Sequence, residues 1–355
     1  VMAGPKEPSD DLTVDELIEG PTQVIPERDL AAPHPGGHDV SLESTHDLSA
    51  LADDRTHDLT ATAARVVRSR VELAQMPAAG ALYRRALLGA LPGRRGRRAP
   101  QPPSVELAVA EVAVDRSHLA AYDRVCGFRL TDRLPATFPH IMGFPLALRL
   151  MTAPDFPIPL TGVVHVGNRI TVHRPIRADE TLDFTTYAEN LRPHDRGRVV
   201  DVVLVGSVGG EEVWRGVSTY LGKERTPGGG ERRDRAEPTL APAASARWRV
   251  EPSVGTAYAR VSGDHNPIHT SRLGARLFGF RRPIAHGMWS KARCLAALEP
   301  RLPDAYTVDV AFKLPLPLPS TVNFNSTPTG NFAIHDSHAR PHLLGTVRAE
   351  GRAPS

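Results

Sequence analysis

The feature that most constrains this chain is a repeat. Tyr122-Asp-Arg-Val-Cys-Gly127 is spelled again, 136 residues on, as Tyr258-Ala-Arg-Val-Ser-Gly263. The segments after each copy run in the same order. The first copy leads through a loop and an apolar segment (Ile141 to Met151) to expected strands near 161–173, 180–191, 197–208 and 211–221. The second leads to an apolar helix near 287–299 and strands near 305–314, 319–327, 331–337 and 342–349. Ahead of each copy lies a β-rich stretch, Val105 to Val114 and Trp248 to Val250. Asp115 is placed to cap a helix over 116–126, and a matching helix is expected near 253–262. The bend Arg174-Pro175-Ile176-Arg177-Ala178-Asp179-Glu180 falls where Leu314-Pro315-Leu316-Pro317-Leu318-Pro319-Ser320 falls. Two copies of one α+β unit are the simplest reading.

The repeat divides the 355 residues. Residues 1–60 hold 14 acids, 3 bases and no aromatic residue, a composition that cannot bury enough surface to offset ordering. A disordered acidic tail is expected there. Residues 61–100 carry 9 bases and 1 acid. They read as a basic helical lead-in and linker, with Ala63, Val66, Val67, Val71 and Ala74 near one face and a continuation to residue 91. Residues 101–221 form the first unit and 248–350 the second. The Gly- and Pro-rich stretch 222–247 links them.

The net charge of +3 thus averages an acidic head with a short basic block. No aromatic residues accompany Arg94-Arg95-Gly96-Arg97-Arg98, so nucleic acid is not the expected partner. No apolar run approaches the ~20 residues of a spanning helix. The two cysteines, Cys126 and Cys294, make neither a disulfide framework nor a metal cluster, and a cytoplasmic setting is expected. No phosphate-binding glycine loop is present.

The chemistry concentrates in Ser262-Gly263-Asp264-His265-Asn266-Pro267-Ile268-His269 and Gly279-Phe280-Arg281-Arg282-Pro283-Ile284-Ala285-His286-Gly287-Met288. Asn266-Pro267 forces a turn, which lets Asp264 and His269 face one space as an acid/base pair. Gly287 opens an apolar helix whose first N–H groups lack intrahelical partners and suit a developing oxyanion. His286 is read as structural, holding the turn through a backbone hydrogen bond.

These two segments resemble the signature of the MaoC-like, (R)-specific enoyl-thioester hydratases. The two-copy layout resembles the actinobacterial 3-hydroxyacyl-thioester dehydratases. The resemblance implies a double hot-dog fold, two antiparallel sheets each wrapping a central helix. It implies reversible syn hydration of trans-2-enoyl thioesters in fatty-acid or related lipid metabolism. Asp264 and His269 match the catalytic dyad, Gly287 the backbone donor to the thioester carbonyl, and Asn266 a loop-fixing and substrate-positioning residue. Arg281 and Arg282 are candidates for the phosphates of coenzyme A or of a carrier protein's phosphopantetheine arm. No metal and no cofactor beyond that carrier is expected, and the chain would act as a monomer (a pseudo-dimer) or a homodimer. The first unit departs from the pattern: after Gly127 comes Phe128-Arg129-Leu130, with His140 the nearest histidine and no carboxylate before it. One active site per chain is expected, with the first unit giving room for a longer acyl chain. Two other readings remain, a hot-dog thioesterase and a non-catalytic subunit that binds an acyl carrier.

Overall fold

The computed structural model describes residues 67–82, 99–160, 163–223 and 244–350. The expected tail 1–60, most of the basic lead-in and most of the linker lie outside the described residues.

Apolar residues at alternate positions mark strands such as Thr181–His194 of the N-half, while Gly197–Val208 is buried on both faces. The N-half strands are β2 (Val105–Ala113), β3 (Val164–Val172), β4 (Thr181–His194), β5 (Gly197–Val208) and β6 (Glu211–Lys223). Two helices interrupt them. In α1 (Arg116–Cys126), Asp115 caps the start by accepting from the N–H groups of Ser117 and His118, and Gly127 ends the helix at φ 80°. That left-handed conformation favours glycine, which explains the last letter of the repeated hexapeptide. Gly263 does the same for α3 (Val254–Ser262) at φ 72°. The second N-half helix, α2 (Phe138–Met151), is apolar almost all round and is buried over β4 and β5.

The C-half repeats the plan with β7 (Ala246–Val250), α3, two short helices α4 (Pro267–Thr270) and α5 (Arg272–Leu277), the central helix α6 (Gly287–Leu298), and β8 (Tyr306–Phe312), β9 (Ser320–Ser326), β10 (Asn331–His335) and β11 (Pro341–Ala349). The two sheets are joined edge to edge through β3 and β8. The result is one eleven-stranded sheet in the order β1-β2-β4-β5-β6-β3-β8-β11-β10-β9-β7, where β1 is Ser69–Glu72. At the seam Arg169 faces Asp309, 140 positions apart, with Nη2–Oδ2 at 2.6 Å, and Thr171 faces Thr307 at 2.8 Å. The bend at 174–180 and its copy at 314–320 share that offset, so equivalent positions pair around a local two-fold axis. The join satisfies two sheet edges that would otherwise be open.

Two expectations fail at their margins. The stretch 67–78 is not helical: β1 (Ser69–Glu72) pairs in parallel with β2, and only a helical turn over 79–82 follows. The open edge of β2 supplies hydrogen-bond partners to a segment carrying β-branched Val71. Val67, counted toward an apolar helix face, is 91% exposed. Arg70 instead reaches Glu106 on β2 at 2.8 Å, and Arg68 sits over the Tyr187 ring and pairs with Glu189 at 3.0 Å. The linker is also shorter than read. Gly222 and Lys223 still belong to β6, and Ala246 and Arg247 to β7. Gly222 fits there because a Cβ would lie 2.6 Å from Ile158.

Candidate active site

The C-half site is assembled by a chain of local bonds. After Gly263 ends α3, the Asp264 carboxylate accepts the Asn266 N–H at 3.2 Å. Asn266 in turn caps α4, its side-chain oxygen accepting from the Ile268 N–H at 3.3 Å, and Pro267 takes the first helical position. Proline and a capping Asn are suited to those two places. One turn of helix then brings His269 back toward Asp264.

A second segment locks the first. The Ile284 N–H donates to the Ile268 carbonyl at 3.1 Å, and the Ala285 N–H to the Leu316 carbonyl at 2.8 Å. The Ile284 carbonyl lies 2.7 Å from His269 Nδ1, and the Asp264 carbonyl 3.0 Å from His286 Nε2. A carbonyl only accepts, so these two nitrogens carry protons. His269 Nε2 is thereby left as the ring's proton acceptor. The His269 and His286 rings stack at 3.7 Å. The ligating atoms of Asp264, His269 and His286 all lie within 4.8 Å of one another.

Burial governs the protonation here. It lowers the His269 pKa below the ordinary imidazole value, with the Asp264 charge opposing it. It pushes His286 down to about 3, helped by neighbouring His269. Both rings are neutral at pH 7. His269 is therefore available as a base. The same three side chains are the one group among the described residues spaced to take a cation. The stacked rings, 26° apart, run their in-plane lone pairs side by side rather than toward one point.

Gly287 is the first residue of α6, where a backbone N–H has no intrahelical acceptor. A Cβ there would press on the Phe312 ring at 3.0–3.1 Å, so any larger residue would have to displace that ring. Asp264, Asn266, His269, His286 and Gly287 all line one cavity of about 530 Å³. Both halves build it. The N-half contributes Phe144, Leu148 and Met151 from α2.

Arg281 and Arg282 are placed differently from the dyad. Both are exposed and neither lines the cavity; Arg282 donates to the Pro319 carbonyl at 3.3 Å. The cations on the cavity wall are Lys223 and Lys313, both exposed.

Sequence reasoning missed three neutral polar groups of the N-half that line the same cavity: His140, His165 and Tyr220. A signal for His140 existed. Pro139-His140-Ile141-Met142 enters α2 as Ala285-His286-Gly287-Met288 enters α6. It also missed Lys291, one turn past Gly287. This lysine is fully buried, and its ammonium donates to the Asn168 carbonyl at 3.0 Å, Asn168 Oδ1 at 2.6 Å and the Val308 carbonyl at 3.2 Å. Three acceptors match the three N–H bonds of the protonated form, although burial lowers its pKa. The contacts tie α6 to both strands of the seam.

Residues 235–339 match the family model described as "MaoC like domain". The 3-hydroxyacyl-thioester dehydratase X of Mycobacterium tuberculosis is 39% identical over 270 residues, spanning 74% of this chain and 95% of that protein. A crystal structure of that protein, HtdX, superposes with a TM-score of 0.62 at 36% identity, covering 69% of this chain and 100% of the other. A MaoC-like dehydratase from Phytophthora capsici shares the fold, with a TM-score of 0.53 at 19% identity, covering 71% of this chain and 97% of the other. The chain is a double hot-dog protein and belongs to the MaoC-like 3-hydroxyacyl-thioester dehydratase family.

Proposed function

We propose that this protein adds water reversibly and syn across a trans-2-enoyl thioester, giving the (R)-3-hydroxyacyl thioester. In the other direction it is a 3-hydroxyacyl-thioester dehydratase of fatty-acid or related lipid metabolism. The observation that carries this reading is the convergence of the Asp264 carboxylate and His269 on one wall of a cavity, beside the open N–H of Gly287.

The two side chains hold one water. Its oxygen bonds to the β carbon while one group of the dyad takes its proton. The electron pair of the double bond moves toward the thioester carbonyl, whose oxygen gains charge and is held by the Gly287 N–H. The dyad then passes that proton to the α carbon on the same face, so the one water supplies both the hydroxyl and the α hydrogen, and Asp264 and His269 return to their starting protonation. Acid–base assistance of this kind is worth about 10²–10⁴-fold, and an oriented backbone donor a few kcal/mol. Asn266 fixes the loop that carries both groups. The reaction draws on no cofactor beyond the substrate's own carrier, coenzyme A or phosphopantetheine. A cytoplasmic enzyme is the reading we favour; among the described residues no helix is long and apolar enough to cross a membrane. That one chain holds both halves of the sheet supports a monomer as the catalytic unit; a homodimer would pair two such units.

Crotonyl-CoA tests the assignment. Loss of the enoyl-thioester absorbance without release of free thiol supports hydration. Thiol release makes the protein a thioesterase instead. No change in either signal across several chain lengths leaves a binding role and overturns the proposal.

A further inference from the structure

The cavity runs along α2. His140, Phe144, Leu148 and Met151 recur at helical spacing on its wall, a path of about 16 Å at 1.5 Å per residue. The far three are apolar. The near end is not. His140 is buried, with no described residue bonded to its ring nitrogens, and its imidazole and the Tyr220 phenol lie close enough to Asp264 to feel its charge. His165 stacks on Tyr220 at 4.7 Å and backs this wall.

All three groups are uncharged at pH 7. Burial holds His140 at about 4 and His165 at about 3, and raises the Tyr220 phenol above its ordinary value. A wall of this kind repels neither carbon nor oxygen by charge, yet it suits hydrocarbon poorly. Covering the His140 imidazole without giving it a partner costs free energy that a hydrogen-bonding ligand would recover, and the Tyr220 phenol, already bonded to Ser218, keeps capacity for a second bond to such a ligand. A cavity shaped for a plain alkyl chain would carry aliphatic side chains at both positions, as it does further along α2.

We propose that His140 and Tyr220 select acyl chains bearing a neutral oxygen function, a hydroxyl or a carbonyl, a few carbons beyond the reacting double bond. This rests on the hydratase reading of the site and on the acyl chain entering the N-half. The same hydrogen-bonding chemistry is present in the amides of a pantetheine arm, so the test separates the two sources.

The probes are crotonyl-CoA, trans-2-octenoyl-CoA, and octenoyl-CoA oxygenated at carbon 5, 6 or 7. For the wild type, kcat/KM for at least one oxygenated chain is expected to exceed that for plain octenoyl-CoA about tenfold. In His140→Leu that ratio falls to about one or below. Tyr220→Phe, which removes only a hydroxyl and keeps the ring, lowers the ratio in the same direction and guards against a folding defect. Equal kcat/KM for plain and oxygenated chains in the wild type overturns the proposal. So does a His140→Leu loss of the same size on crotonyl-CoA as on the oxygenated chain, which would put the imidazole on the pantetheine arm or the reacting atoms. Absence of hydration with every probe overturns the site's reading and this inference together.

Discussion

The two halves begin alike and part company at one glycine. In the N-half, Gly127 ends α1 and the chain proceeds by way of Pro135 and Thr137 straight into α2 at Phe138. In the C-half, Gly263 ends α3, and two short helices intervene before α6 starts at Gly287. Everything proposed to carry the reaction lies in or just after that detour. The hexapeptides pack against one another: Tyr122 and Tyr258 are both buried, their rings 6.2 Å apart across the two halves, and Tyr258 also borders the cavity. A repeated fold thus gives a repeated scaffold, and the chemistry comes from what one copy adds between helix and helix.

The comparison breaks most directly at the dyad. Asp264→Asn and His269→Ala are each expected to lower hydration of crotonyl-CoA by about 10²–10⁴-fold while circular dichroism stays that of the native fold. Retained activity in both would move the reaction out of the detour. Lys291→Met comes next. Its N-half counterpart by the His140/His286 alignment is Pro145, which donates nothing. Losing three bonds into the seam should lower unfolding free energy by about 2–4 kcal/mol in urea, and a change under about 1 kcal/mol would deny the lysine its role in joining the halves.

Gly287→Ala sharpens the contrast with Ile141, which takes the matching place on α2. Crowding Phe312 and displacing the helix start should cut kcat/KM about 10–100-fold, read by steady-state kinetics with thermal melting as the control. Acidification has a smaller effect per group. Buried His140, His165 and His286 have folded pKa values below the unfolded value near 6.5. The unfolded chain therefore binds more protons below pH 6.5, and stability is full above that pH and is lost as pH falls toward 3–4. Each group costs up to about 1.4 kcal/mol per pH unit. The melting temperature should drop from pH 7 to pH 5, and His165→Phe should flatten that drop. The smallest change is expected from Arg281→Ala with Arg282→Ala, under about twofold in kcat/KM, since neither side chain reaches the cavity. A larger loss would assign them to the phosphates of the substrate's carrier.

Much of this was legible in the sequence, for local reasons. Asp115 before a helix, glycine after Val125-Cys126 and after Val261-Ser262, and alternating apolar residues each act within a few residues of themselves. So does the Asp264–His269 segment, whose bonds stay largely inside 262–286. What was not legible depends on partners far away in the chain. The edge of β2 turned 69–72 into a strand. The burial of Lys291 depends on Asn168, 123 positions away. His140 looked idle because the cavity that gives it a setting is closed by the other half.

The Arg169–Asp309 pair has a consequence for ancestry. A residue lying on a two-fold axis between identical subunits meets its own copy, so an arginine would face an arginine there and an aspartate an aspartate. Opposite charges at that place are open only to a chain whose two halves have been free to diverge. The pair marks the molecule as one that has given up self-assembly from equal parts: either half, paired with a duplicate of itself, would bring like charges together at the centre of the join.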